Sequence, residues 1–410
     1  MHHKIKRISK AATDSFVSLP MILRSFLRDE SIGGKLIVGF AVLAIVIVNS
    51  PLREAYESFW HISFSIGLGD LSLSQDLRHW VNSGLMATFF LVVGLEIKRE
   101  LVVGELKDIK KAILPVAAAF GGMIVPAIIY LGFNWNSDAI RGWGIPIATD
   151  IAFAVAVLSF LSKRVPLSLK LFLLSLAIVD DIGAIFVIAL FYAEIINYGY
   201  LAASFALIIV MFLLRQWLSR RLALFILAGA VLWVTAHLSG IHASIVGAVV
   251  GLLAPLTAAP NGKSVSKQLE EFFLPISTFI ALPIFALANA GVVLSLTAFH
   301  HPDTPAIMSG VIGGLILGKL IGISGVAWLM VRLGVARLPH GVGWLHIIGV
   351  SLIAGIGFTV SIFITELAFA DDAQSAIAKI SIFIASGMAA ILGVLFLLKA
   401  KEIKHILDEV

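Results

Sequence analysis

Residues 175–185 read SLAIVDDIGAI: two adjacent carboxylates, Asp180 and Asp181, in the middle of an apolar run about 25 residues long. A run of that length and composition reads as a membrane-spanning helix. Placing one charge at mid-membrane costs roughly 2.5–3.5 kcal/mol on insertion scales, and two neighbours also repel each other. Such a pair persists where function offsets the cost.

The rest of the chain has the same character. Of its 410 residues 59% are hydrophobic and 13% charged, and the mean hydropathy is +1.01. A soluble domain cannot hide that much apolar surface, so the composition is that of an integral membrane protein. There is no cysteine, which excludes a disulfide framework, zinc–thiolate sites and thiol chemistry. The basic start, MHHKIKRISK, is not followed by a short apolar core with a small-residue cleavage site, so no cleaved signal peptide is expected.

Twelve apolar segments are long enough to span or nearly so: about 35–50, 80–97, 112–133, 143–161, 168–192, 197–214, 221–238, 240–258, 272–296, 306–334, 344–369 and 377–398. With the N-terminus placed in the cytoplasm, the inner segments hold 25 of the 30 Lys and Arg residues. The outer segments hold only Arg53, Arg78, Arg141 and Lys379, and Lys319 lies inside a span. That bias predicts twelve transmembrane helices with both termini inside, and it explains the net charge of +5 by topology, with no nucleic-acid partner.

The expected domains are a basic N-terminal extension (1–34), one transporter domain (35–398) and a cytoplasmic tail (399–410). Phe16–Glu30 mixes apolar and basic residues, as an interfacial helix or an irregular tail would. Within 60–75, Ile62, Phe64, Ile66 and Leu68 alternate up to Gly69-Asp70, and Leu71 and Leu73 follow, which reads as an outer β-hairpin. An isolated hairpin is marginal in water, so edge pairing with a second copy, giving a homodimer, is the favoured reading over packing on its own protomer.

Three spans carry breaker signals: WGIPIATDIAF in span 4, GGLILGKLIGISG in span 10 and AGIGFTVSIF in span 11. Spans 4 and 11 occupy the middle of two three-helix groups, 3–5 and 10–12. The groups start an odd number of spans apart, which is the arithmetic of an inverted repeat with interrupted helices at corresponding places. Broken helices leave free N–H groups at one end and free C=O groups at the other. Asp150 suits the positive ends and Lys319 the negative ends.

Asp180 and Asp181 answer to no interruption in their own span. Successive helical residues point about 100° apart, so one can face a water-filled cavity and the other a neighbouring helix. Asp181 is assigned to the cavity and Asp180 to a partner such as Lys319. Carboxylates, the Thr149 hydroxyl and freed carbonyls form an oxygen set suited to Na⁺. A carboxylate that binds Na⁺ when ionised releases it when protonated, which is the minimum chemistry of exchange. The residues alone leave other readings open: a structural ion pair with Lys319, a channel lining, a structural Asp150, and Lys319 as either proton carrier or fixed counter-charge. At the cytoplasmic end of span 2, Glu96, Arg99 and Glu100 share a helix face and read at the least as an interfacial anchor. His242 reads as a satisfied polar residue or a switch, and Gly314, Gly318 and Gly322 as close helix packing.

AIVDDIGAI (177–185), GIPIATDIAFA (144–154), VGLEIKREL (93–101), GLILGKLIGI (314–323), SGIHAS (239–244), LPIFALANAG (282–291) and GIGFTVSIFI (355–364) resemble, in order and spacing, motifs of the NhaA family of bacterial Na⁺/H⁺ antiporters. Inverted repeats with broken helices are a known property of that family. The resemblance, over about 32–398, implies an all-α polytopic protein that exports Na⁺ or Li⁺ against entering protons, electrogenically and with alkaline activation, in the bacterial inner membrane. It implies no cofactor and no enzyme activity. Carried over by motif, Asp180 and Asp181 bind the ions and Thr149, Asp150 and Lys319 complete the assembly. Glu96, Arg99, Glu270 and His242 shape the pH response, and the outer hairpin is the dimer contact. Three departures stand out: Ser83 replaces a frequent acid, Glu366 is an extra acid, and after Lys267 the stretch SKQLEEFFL (266–274) lacks the basic residue and histidines of some members. A sodium-coupled solute symporter is the alternative.

Overall fold

A computed structural model describes residues 30–400 apart from 69–70, 162–164, 194–195, 220, 257–263 and 295–300. The interfacial segment ahead of span 1, most of the C-terminal tail and the tip of the hairpin therefore lie outside the described residues.

The apolar segments fold as helices. In chain order these are α1 (Glu30–Val48), α2 (Arg53–Trp60), α3 (Leu77–Val102), α4 (Ile109–Asn134), a 3-10 helix (Asp138–Ile147), α5 (Ile151–Phe160), α6 (Leu167–Phe191), α7 (Tyr198–Leu213), α8 (Leu222–Leu238), α9 (Ser244–Leu253), α10 (Val265–Asn289), α11 (Thr304–Arg332), α12 (Trp344–Ile353), α13 (Phe358–Ala368) and α14 (Asp372–Lys399). Six of them, α3, α4, α6, α10, α11 and α14, are each long and apolar enough to cross a bilayer. Helix starts are set by side chains that accept from free N–H groups, among them Asp76, Asp108, Ser137, Asn197, Ser264 and Asp371.

Two pairs of helices are bent at short breaks. The 3-10 helix and α5 meet at 44°, and α12 and α13 at 45°. The breaks fall at Ala148–Asp150 and Ala354–Gly357, in the segments marked by Pro146 and by Gly355 and Gly357. The breaker signal in span 10 resolves differently. α11 stays continuous, with a single π turn at Gly314–Gly318 directly before Lys319. Gly318 lies against Pro126 of α4, Gly314 against Pro146 of the 3-10 helix and then the Pro126 carbonyl, and a Cβ at Gly322 would stand 2.1 Å from the Gly121 carbonyl. Small residues thus bring two backbones together along the α4–α11 seam.

The alternating stretch is an antiparallel pair, β1 (Ser63–Leu68) and β2 (Leu71–Asp76), in the register Ser63↔Asp76 to Leu68↔Leu71. Between α1 and β1 lies an element the hydropathy pattern did not indicate: α2 turns 117° away from α1 after Ser50-Pro51. Its REAYESFW carries three charges, too polar for a span, and Tyr56 anchors it by donating to the Leu287 carbonyl at 2.5 Å.

Candidate functional site

The two broken spans cross, and Asp150 is the knot. It ends the break in span 4 and its Oδ1 accepts from the Phe153 N–H at 3.0 Å, capping α5. Its Oδ2 accepts from the Thr359 N–H at 3.1 Å and the Thr359 hydroxyl at 2.5 Å, at the start of α13. One carboxylate therefore serves the positive ends of two half-helices, the role expected for it. The open carbonyls of the other break are met from span 4: Thr149 Oγ1 donates to the Ala354 carbonyl at 2.8 Å, and the Asp150 N–H donates to the Ile356 carbonyl at 2.7 Å. Lys319 is not the group at those carbonyls. Its Nζ donates to Asp180 Oδ2 at 2.6 Å, because the π turn before it aims the side chain at α6.

Thr149 Oγ1 also lies 2.8 Å from Asp180 Oδ2, so its single hydroxyl hydrogen is shared between that carboxylate and the Ala354 carbonyl. Thr149 thereby joins the acid of α6 to the crossing, and Lys319 joins both to α11. Asp180 and Lys319 are fully buried, and Thr149, Asp150 and Thr359 nearly so. Asp180 Oδ1 is buried with no hydrogen-bond partner among the described residues. Asp181 is 6% exposed and makes no hydrogen bond among the described residues, although the charges of Asp180 and Glu96 act on it. The neighbouring acids thus divide as the helical geometry requires: Asp180 is bonded inward and Asp181 is left open. Two carboxylates, a hydroxyl and helix-break carbonyls make a compact oxygen-rich centre inside an apolar fold, a donor set for a hard cation and for protons.

The family described as "Na+/H+ antiporter 1" matches residues 24–397 of the chain. This chain is a member of the NhaA family of Na⁺/H⁺ antiporters. It is 44% identical to the Na(+)/H(+) antiporter NhaA 1 of Clostridium beijerinckii, over 90% of this chain and 92% of that one. It is likewise 44% identical to the Na(+)/H(+) antiporter NhaA of Vibrio cholerae, over 91% and 96%, and 40% identical to that of Helicobacter pylori, over 93% and 96%. Among solved structures it is similar to the sodium/proton antiporter MjNhaP1 of Methanocaldococcus jannaschii, with a TM-score of 0.52 at 13% identity over 92% of this chain and 99% of that one, a likeness of fold. The NhaA homologue is accordingly an all-α, multi-pass membrane transporter.

Its other expected site residues form separate groups. Arg99 of α3 pairs with Glu270 of α10 at 2.6 Å and lies 4.0 Å from Glu96, so these three come together. His242 stands apart from them, with Nε2 2.6 Å from the Tyr192 carbonyl at the end of α6. The Tyr192 hydroxyl accepts from the Gly144 N–H and donates to the Arg141 carbonyl, which ties His242 through one residue to the first half of broken span 4. Ser83 donates to the His79 carbonyl at 2.8 Å, and Glu366 pairs with Lys379 at 2.7 Å. The sequence reading did not pick out Thr359, Tyr192 or Lys98 as site residues. Thr359 had a signal, a hydroxyl directly after GIGF, but its partner lies 209 positions away.

Proposed function

We propose that this protein is an electrogenic antiporter of the bacterial inner membrane that exports Na⁺, or Li⁺, in exchange for entering protons, by alternating access around Asp180 and Asp181. The observation that carries this is the asymmetry of the pair. Among the described residues, Lys319 and Thr149 hold one oxygen of Asp180, the other has no partner, and Asp181 beside it makes no hydrogen bond. In this reading a cation arriving from the cytoplasm meets Asp181 first. It then takes the free Asp180 oxygen while the Lys319 ammonium yields its share of that carboxylate. Protonation of the carboxylates, on exposure to the outer side, releases the ion. One proton for one Na⁺ would be electroneutral. Two carboxylates, or one with Lys319, allow more than one proton per cation.

Twelve spans with both termini cytoplasmic, and inverted repeats of spans 3–5 and 10–12, are part of the proposal. Support comes from the 25-to-4 charge bias and from the bends of 44° and 45° in corresponding helices. Glu96, Arg99 and Glu270 would tune activity toward alkaline pH as a cluster at the cytoplasmic mouth, with His242 acting on span 4 through Tyr192. The hairpin would join two protomers: a two-stranded sheet has free edges, and Ile62 and Phe64 beside them are exposed.

Electrogenicity is tested in proteoliposomes of equal internal and external pH. An inside-positive potential set by K⁺ and valinomycin should drive labelled Na⁺ inward as protons leave. Uptake indifferent to the potential would mean one-for-one exchange, and uptake that needs an added organic solute would mean symport.

A further inference from the structure

The cytoplasmic end of α3 carries Glu96, Lys98, Arg99 and Glu100, and these side chains do different work. Arg99 reaches Glu270 of α10, and Glu100 accepts from the Glu105 N–H at 3.0 Å in the following turn. Lys98 turns to α9 instead. Its Nζ donates to the carbonyl of Leu252 at 2.7 Å and to that of Ala254 at 2.5 Å. These oxygens close α9, a helix of ten residues. The last carbonyls of a helix have no partner within it, and the dipole is negative there, so an ammonium satisfies both.

We propose that Lys98 is a positioning residue for exchange: it locks the cytoplasmic end of α3 in register with α9 and so sets where Glu96, two residues away, stands relative to Asp181. The proposal rests on the exchange reading given above. Two further observations support it. Along their length α3 and α9 already touch backbone to backbone, since a Cβ at Gly247 would stand 1.9 Å from the Ala87 carbonyl and one at Gly94 2.3 Å from that of Ala248. The close contact runs on to Gly251, whose Cβ would stand 2.7 Å from the Leu95 nitrogen, and beyond it Lys98 is the link from the end of α3 to α9, beside the Arg99–Glu270 link to α10. Glu96 in turn is among the charges that act on Asp181, so its displacement reaches the cation site. Arg215 after α7 is the charge that acts on Lys98; Glu96, Arg99 and Glu100 lie on its own helix, Lys267, Glu270 and Glu271 on α10 packed against it, and α9 has no titratable side chain.

The test measures Na⁺-driven proton movement in proteoliposomes for wild type, Lys98→Met, Lys98→Gln, Lys98→Arg and Glu96→Gln, alone and combined with Lys98→Met. Apparent KM for Na⁺ is read at several pH values and melting is followed in detergent. Coupling through such a network is worth roughly 2- to 30-fold. Lys98→Met and Lys98→Gln should raise KM within that range and move the pH profile, and Lys98→Arg, which keeps charged donors, should restore both. In the Glu96→Gln background Lys98→Met should add little. A purely structural lysine would lower Vmax and melting temperature while leaving KM and the pH profile at wild-type values, or would add its full effect to Glu96→Gln; either result overturns the proposal. If wild type itself moves no protons on Na⁺ addition, the exchange reading falls, and this inference with it.

Discussion

Asp180 and Asp181 differ by one position and meet opposite environments. Asp180 is held by the Lys319 ammonium of α11 and by the Thr149 hydroxyl at the break between the 3-10 helix and α5, whereas Asp181 makes no hydrogen bond among the described residues. Charge at mid-membrane is costly enough to make both residues stand out in the bare sequence. Lys319 and Thr149, the partners of Asp180, were already candidates in the sequence, but Thr359, which holds Asp150, was not, because its role depends on a crossing of segments 209 positions apart. Thr359 is the sharpest case. Its hydroxyl donates to a buried carboxylate, and a hydrogen bond to a charged group contributes about 1.5–3 kcal/mol. Thr359→Val should therefore lower the melting temperature and slow exchange, while Thr359→Ser, which keeps the donor, should stay close to wild type. Melting curves in detergent and initial rates in vesicles check both. A Thr359→Val protein as stable and as fast as wild type would mean that the contact carries nothing.

The elements divide by what sets them. Helices with apolar runs and side-chain caps were legible, and so was the alternating hairpin. α2 was not, because a polar helix lying across the end of a span has no hydropathy signature; only Ser50-Pro51 marks the turn. α9 came out shorter than the apolar segment containing it, with its end fixed by Lys98 from another helix. Its contact with α3 is set by Gly247, where a side chain would collide with the Ala87 carbonyl. Gly247→Val should force the two helices apart and cost expression or melting temperature, whereas the same change at Gly132, whose Cβ would meet nothing within 4 Å, should be silent. At the other end of the molecule Asp303 joins three elements. It accepts from Ser137 at 2.7 Å and from Gln374 at 2.8 Å, next to the start of α11. The Ser137 hydroxyl first, and then Gln374 and His301, hold its carboxyl below the usual range against the effect of burial. An acid with a lowered folded value stabilises the fold above its unfolded value of about 3.9, and that contribution is lost as pH falls through the folded value. Asp303→Asn should therefore melt lower than wild type at neutral pH and lose less stability on acidification below about pH 4.

At the scale of the whole molecule, charge bias and breaker positions implied a topology before any contact was known. The absence of cysteine makes that topology easy to test. Single cysteines at Lys107 and Lys267 should react with an impermeant maleimide only from the cytoplasmic side, and one at Asp138 only from outside; labelling of all three from one side would refute twelve spans. A cysteine at Ser65 should cross-link two protomers if the hairpins pair, and should stay monomeric if each packs on its own chain. The contacts at the aspartate pair were less legible than the helices, because they depend on which side chains of four elements meet at one crossing. The most direct measurement is therefore made on that crossing. Vesicles with an acidic interior, carrying wild type or Asp181→Asn, receive Na⁺, Li⁺ or K⁺ between pH 6.5 and 9. An exchange site at the aspartate pair requires that Na⁺ and Li⁺ dissipate the gradient in wild type, more strongly at high pH, and that Asp181→Asn not respond. Equal dissipation by Asp181→Asn, or none by either protein, would contradict it.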